Sequence, residues 1–293
     1  MADGCPVALT PLPGTPGSLK VMTLNRRKQH PYASRVVRTE QLSPHMRRLV
    51  LHSEDFTEFT LSDQTDSYVK IVFLAEGLDY SKPVDLAAIR ASAPPDQQPQ
   101  LRTYTVRAFD QSALELSLDV FVHPDNGSSL GPGAELAMNA QVDDEVLLLG
   151  PGGGYAPTED ATWHLFVGDE SALPSIAVAL ERQSNTSNTF AFIEVHDDSE
   201  QVPIDTEATV RWIFRGERPV GEALVEAVRR FDFPDIRPDA FVHGEAAFIK
   251  EMRNLLLNER RITRELLSIS GYWRSGATDE QWRAIKAQWA LNA

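Results

Sequence analysis

Cysteine is nearly missing from this chain: Cys5 is the only one among 293 residues. A single thiol excludes an intrachain disulfide, a cysteine-built zinc site and a cysteine-ligated iron–sulfur cluster. Groups of His, Asp and Glu at metal-ligand spacing are missing too, so no protein-bound metal is expected. No run approaches the roughly 18 consecutive apolar residues that a membrane-spanning helix needs. Residues 1–19 lack a basic stretch leading into an apolar one and read as a flexible leader rather than a signal peptide. There is no Gly-x-Ser-x-Gly elbow and no nucleophile paired with a base, which leaves hydrolysis without a catalyst. Basic residues are scarce as well. The 28 Lys and Arg stand against 42 Asp and Glu, a formal net charge of −14, which is the wrong sign for non-specific nucleic-acid binding. The chain is expected to be a soluble, cytoplasmic globular protein, a monomer with neither a nucleic-acid nor a membrane partner.

The acidity is concentrated in the middle of the chain. Residues 76–245 carry 11 basic against 30 acidic side chains, whereas residues 1–75 and 246–293 carry a slight basic excess. Either the two ends present ordinary solvated faces, or they converge on a mildly basic cleft suited to an anionic ligand.

Apolar patterning divides the chain in two. In the first half, residues 35–40, 46–52, 68–74, 102–109, 113–123 and 144–149 are short strand-like runs separated by turn residues. The alternation is cleanest where Leu114, Leu116, Leu118, Val120 and Val122 share one face. This half is expected to form an antiparallel six-stranded β-barrel, with residues 131–141 its one helix or loop. From His164 the pattern changes. Apolar runs at 164–167, 190–195, 210–214, 240–242 and 266–269 alternate with helical stretches at 173–183, 220–231 and 246–259, with a last one at 278–290. Strands alternating with helices predict right-handed crossovers and an α/β domain with a parallel five-stranded sheet. The expected layout is a leader at 1–19, a barrel at 20–150 and the α/β domain at 151–293. The glycines at Gly150, Gly152, Gly153 and Gly154 lack a Gly-Lys-Ser/Thr ending and read as a flexible hinge between domains.

Two segments carry chemistry. Gly168-Asp169-Glu170-Ser171-Ala172-Leu173-Pro174 joins the first parallel strand to its helix, where ligands of open sheets collect. It also reads as a plain cap, with Ser171 at the N-cap and Pro174 in the first turn. In Arg102-Thr103-Tyr104-Thr105-Val106-Arg107, the alternation puts Arg102 and Tyr104 on one face. A guanidinium can neutralise a pyrophosphate, and a tyrosine can lie against a flavin ring while donating a hydrogen bond. An exposed polar-faced strand would look the same. His123 ends a strand and either faces a ligand or marks the strand end, while His164 and His196 fit loop or strand-end positions.

Taken in order, these segments closely resemble the siderophore-interacting protein family, FAD-dependent ferric-siderophore reductases of the ferredoxin–NADP⁺ reductase-like superfamily. The resemblance runs collinearly from about Arg35 to Trp282. It rests on Arg102–Arg107, Asp119-Val120-Phe121-Val122-His123, Gly168–Pro174, His243-Gly244-Glu245-Ala246 and Gly271-Tyr272-Trp273-Arg274-Ser275-Gly276. The resemblance implies that FAD is held by Arg102, Thr103, Tyr104 and Thr105, with Asp119, Val122 and His123 near the adenine-nucleotide portion. Gly133 and Ala134 would lie at the pyrophosphate, and Asp169, Ser171, Ala172 and Trp273 complete the implied cofactor site. Where the family reads G-P-A-S-R-W-A, this chain has Gly131-Pro132-Gly133-Ala134-Glu135-Leu136-Ala137, without the Ser hydroxyl or the Arg charge. Backbone N–H groups remain available there.

The implied reaction takes hydride from NAD(P)H onto the flavin and passes electrons singly to Fe(III) in its chelate, with the protein supplying placement rather than acid–base groups. Lys250, Arg253 and Arg274 are candidate cations for an anionic ferric siderophore. Carboxylates at Glu194, Asp197 and Asp198 lean toward NADH, because such groups bind a ribose 2′-OH; Arg215 or Arg218 could instead serve a 2′-phosphate. Reduced ferredoxin is an alternative donor. Rival readings are a flavin- or siderophore-binding module and a flavin reductase with another acceptor.

Overall fold

The computed structural model describes residues 31–123, 131–158, 161–184, 186–234 and 237–292. The predicted leader and the first residues of the barrel domain lie outside them.

Six strands close into an antiparallel barrel: β1 (Tyr32–Gln41), β2 (Met46–His52), β3 (Tyr68–Phe73), β4 (Gln100–Asp110), β5 (Glu115–Phe121) and β6 (Glu145–Gly152). The order around it is β1-β2-β5-β4-β3-β6, and β6 returns to pair with β1. Closure leaves no unpaired strand edge. In β5 the alternation does what the sequence predicts. Leu116, Leu118 and Val120 point into the barrel core beside Leu49, Leu51, Val69 and Leu148. Leu114 packs on the same core as expected, but from the turn before the strand, with a positive φ of 53°.

Two helices interrupt the barrel. Between β3 and β4 lies α1 (Leu86–Ser92), capped by Asp85, whose carboxylate accepts the N–H groups of Ala87 and Ala88. The sequence pattern does not disclose this helix, since only Leu86 of its residues is buried. Between β5 and β6 lies α2 (Pro132–Asn139), the predicted helix, opened by Gly131 and Pro132.

The second half is a parallel sheet ordered β11-β10-β7-β8-β9. Its strands are β7 (Trp163–Gly168), β8 (Thr189–Val195), β9 (Thr209–Phe214), β10 (Pro238–Glu245) and β11 (Leu267–Trp273). Every residue of β7 and β10 is buried, as expected of central strands covered on both faces. The covering helices are α3 (Leu173–Arg182), α4 (Glu222–Arg230) and α5 (Ala246–Asn254), and α6 (Asp279–Asn292) follows the last strand. One face of the sheet packs on α4 and α5 around Phe192, Leu224 and Phe248. The other packs on α3 and on the barrel residues Met46 and Tyr155. The chain runs outward from β7 in both directions, so the connection reverses between β7 and β10. Ligands of open sheets bind at such a reversal, beyond the carboxyl ends of the strands.

The glycine-rich joint is not a loose hinge. The N–H groups of Gly154 and Tyr155 both donate to Asp66 Oδ1 at 2.8 Å, and Tyr155 O accepts from Thr65 N at 2.8 Å. The buried Tyr155 ring lies 4.9 Å from that of Phe241. Three hydrogen bonds and a buried aromatic fix the segment, an outcome that a glycine count cannot anticipate.

Candidate cofactor site

The site spans the seam between the two domains. On the barrel side, β4 carries Arg102 and Tyr104, while Thr103 and Thr105 stand opposite Lys70 and Tyr68 of β3 in the ladder. Tyr104 leans over the start of α2, where Gly133 is required. A Cβ on Gly133 would meet the Tyr104 hydroxyl at 1.8 Å. Burial pushes the Tyr104 phenol up to about 12, so it stays a proton donor at neutral pH. Gly131, at the α2 N-cap, offers no side-chain cap to the helix, and such uncapped N-termini favour phosphate. A fork-shaped cation, an aromatic hydroxyl and an uncapped helix start next to a glycine together fit a phosphorylated flavin. Ala134, the third residue of the same helix, is half-buried and packs on the barrel core.

Arg102 is already engaged. Its Nη1 lies 2.5 Å from Glu280 Oε1 and 3.6 Å from Asp279 Oδ2, both on α6, and its Nη2 lies 3.1 Å from Gln100 Oε1. Arg283 of the same helix donates to Leu101 O at 2.9 Å and to Thr103 Oγ1 at 3.4 Å. Burial raises the Asp279 carboxyl, against the pull of Arg283 and Arg102.

On the α/β side, Asp169 is fully buried at the reversal point between β7 and β10 and gathers four donors. Its Oδ1 accepts from Ser171 N at 2.9 Å and Ser171 Oγ at 2.5 Å, and its Oδ2 accepts from Glu245 N and Trp273 Nε1, each at 2.8 Å. The N-cap of α3 is Ala172 rather than Ser171. The Ser171 hydroxyl is drawn to Asp169, whose carbonyl takes the N–H groups of Ala172 and Leu173. Trp273, at the end of β11, meets His123 from the barrel with ring centroids 4.4 Å apart, and His123 is 4.9 Å from Phe121. His123 is exposed. The surrounding protein nonetheless withdraws enough water from it to lower its pKa.

Beside Asp169 lies an ion-pair array that the sequence reading did not recognise. Arg215 is 2.6 Å from Glu170 and 3.8 Å from Glu194. Glu194 is fully buried and caps α4 through the N–H groups of Gly221, at 2.7 Å, and Leu224, at 3.1 Å. Burial pushes Glu170 up to about 7 and Glu194 up to about 6; the charge of Asp169 adds to both shifts and Arg215 opposes them. Glu194, the candidate for a ribose hydroxyl, and Arg215, the candidate for a 2′-phosphate, are thus both engaged within the protein. Arg218 is likewise held, by Glu222 at 2.8 Å and Glu226 at 3.2 Å. Asp197 caps its own turn through Ser199 N and Oγ, while Asp198 and His196 follow β8 at the surface.

Three further candidate residues are engaged or enclosed by the protein itself. Asp119 is held by cations of the neighbouring strands. Arg48 grips it with two hydrogen bonds of 2.6 and 2.8 Å, and Arg107 approaches at 3.5 Å while reaching Glu181 of α3 at 2.5 Å. Neighbouring strands thus turn it into a structural ion pair. Val122 is part of the barrel core. Of the three substrate cations, Lys250 and Arg274 are exposed, but Arg253 is buried with 6% exposure on α5, and desolvation lowers its pKa. A side chain so enclosed does not line an open cleft. His164, second residue of β7, is a strand-end residue as expected and is buried, its ring 6.5 Å from that of Phe166.

Among the described residues no group of three or more His, Cys, Asp or Glu is arranged to hold a metal ion, and no helix is long and apolar enough to cross a membrane.

Residues 35–155 match the family model described as the siderophore-interacting FAD-binding domain, and residues 161–276 match that of the siderophore-interacting protein. The chain is 30% identical over 251 residues to the ferric vibriobactin reductase ViuB of Vibrio cholerae, covering 83% of this chain and 89% of ViuB. It is 29% identical over 197 residues to the NADPH-dependent ferric-chelate reductase of Escherichia coli, covering 65% of this chain and 74% of that protein. A solved siderophore utilization protein from T. fusca superposes with a TM-score of 0.71 at 30% identity, covering 85% of this chain and 94% of that one.

Proposed function

This chain belongs to the siderophore-interacting protein family, and from that premise we propose that it is an FAD-dependent ferric-siderophore reductase acting in the cytoplasm and drawing on a nicotinamide donor. The observation that carries the reading is the juxtaposition at the seam. Tyr104 of β4 lies against the glycine-opened start of α2, and His123 of the barrel meets Trp273, whose indole donates to Asp169 at the reversal point of the parallel sheet. Bound FAD would supply the redox chemistry, accepting hydride from NAD(P)H and giving up electrons one at a time to chelated Fe(III). Arg102 would hold a phosphate of the cofactor, with Tyr104 against its flavin and Gly133 allowing close approach of the helix start. Trp273, its indole fixed by Asp169, would limit how far a planar ring can enter from the α/β side. Lys250 and Arg274 are exposed and would attract an anionic iron chelate, which is substrate and leaves no residue of this chain as an iron ligand. The relatives named as ferric reductases support this assignment over that of a passive binding module.

Anaerobic titration tests the reading. Purified protein loaded with FAD should be bleached by NADH or NADPH, and the flavin colour should return on adding a ferric siderophore under anaerobic conditions. Protein that takes up no FAD, or whose flavin is reduced by reduced ferredoxin and by neither nicotinamide, would count against it.

A further inference from the structure

The match to the second family model ends at residue 276, and α6 follows from Asp279. It is rooted by Trp282, which is 1% exposed and sits over Gly271 of β11. A Cβ on Gly271 would come within 2.9 Å of the Trp282 Cζ2 atom, so only glycine leaves room for the indole. From this root the first turn of α6 crosses to the barrel. There Glu280 takes both ends of the Arg102 fork, Oε1 at 2.5 Å from Nη1 and Oε2 at 3.3 Å from Nη2. Arg283 fastens the same turn to Leu101 and Thr103 and is itself held by Asp279 at 2.6 Å. A cavity of about 320 Å³ opens between Glu280, Arg283 and residues 95–101.

A bidentate carboxylate occupies the two N–H directions that a phosphate would use, because guanidinium recognises both oxyanions through the same planar fork. Arg102 is 15% exposed and Glu280 53% exposed, so the carboxylate can swing into water while the half-buried guanidinium stays in place. We propose that α6 is a built-in competitor for Arg102: the Glu280 carboxylate holds the guanidinium that a flavin phosphate would take, so cofactor binding and release of the first turn of α6 from β4 are linked. The inference rests on the reading that Arg102 binds the cofactor phosphate. Linkage is reciprocal. Whatever loosens α6 tightens FAD, and FAD loosens α6.

A plain structural staple would behave otherwise, since removing it would cost stability and leave FAD affinity where it was. The test measures FAD dissociation constants by flavin fluorescence for the full chain and for Glu280→Gln and Glu280→Ala, together with hydrogen exchange of residues 279–286 with and without FAD. Both variants should bind FAD more tightly, by about fivefold for a partly exposed bidentate pair. In the unaltered chain, FAD should speed exchange across the first turn of α6. Unchanged or weakened FAD affinity in both variants overturns the competitor, whatever the exchange shows. Should the unaltered chain and both variants all fail to bind FAD, the proposed function falls with it, and that result is distinct from an unaltered chain that binds while the variants gain nothing.

Discussion

The barrel side of the seam and the α/β side handle charge in opposite ways. On the barrel, Arg102 and Tyr104 are presented from a strand, and their partners come from elsewhere: Glu280 and Asp279 from α6, Gly133 from α2. The Glu280 end of that contact is open to water, so a ligand can exchange for it. On the α/β side, Asp169, Glu170, Glu194 and Glu245 are all less than 4% exposed. Each is satisfied by neighbours fixed in the sheet or its helix starts. A buried carboxylate stays ionised at bearable cost only when donors surround it. One side is therefore an exchangeable surface and the other a rigid frame.

The sharpest way to break this contrast is to empty the frame. Asp169→Ala leaves the N–H groups of Ser171, Glu245 and Trp273 without their acceptor in a buried setting, and should cost about 3–5 kcal/mol in chemical denaturation. A loss below about 1 kcal/mol would show that the frame is not rigid.

Acid–base behaviour gives the next largest effect. The folded pKa of Glu170 is raised, to about 7 from 4.5. The folded state therefore binds more protons than the unfolded chain between those values, and stability falls as pH rises through that window. The contribution is on the order of 3 kcal/mol before relaxation. Glu170→Gln, neutral throughout, should flatten the decline in Tm between pH 5 and 8. An identical decline in the variant would assign the pH dependence to other groups.

On the exchangeable side, Gly133→Ala drives a methyl group into the Tyr104 hydroxyl. Overpacking of this kind costs about 1–3 kcal/mol, and the displaced Tyr104 should weaken FAD binding about tenfold, read by fluorescence titration. Unaltered affinity would remove Tyr104 from the cofactor site. The smallest effect is expected for Glu181→Ala, which cuts the tie from Arg107 to α3. With Arg107 still beside Asp119, the loss should stay under about 1 kcal/mol, and a larger value would make that contact a main strut between the domains.

Much of the fold is legible before any coordinates. Leu116, Leu118 and Val120 announce a barrel strand because alternate positions meet the core, and the consecutive Leu165, Phe166 and Val167 of β7 announce a strand covered on both faces. α1 escapes notice because a helix burying one residue leaves almost no periodic signal. In the site, Arg102–Arg107 and Gly168–Pro174 stand out as short motifs. The fates of Asp119, Glu194 and Arg215 do not, since Arg48 reaches Asp119 across a strand ladder and Glu194 finds the start of α4 through the turn of a crossover.

By itself the sequence determined which residues leave water, hence the two domains, their strand and helix order, and the family. Only the tertiary structure decided the partners of the charged groups. It tied the glycine-rich joint down through Asp66, buried Arg253, locked Arg215 between two carboxylates and brought Glu280 to Arg102 from the far end of the chain. Burial is written into local periodicity, because each position along a strand or helix faces one side. An ion pair depends on distances of a few ångströms between elements remote in sequence, and those distances exist only once the elements have packed.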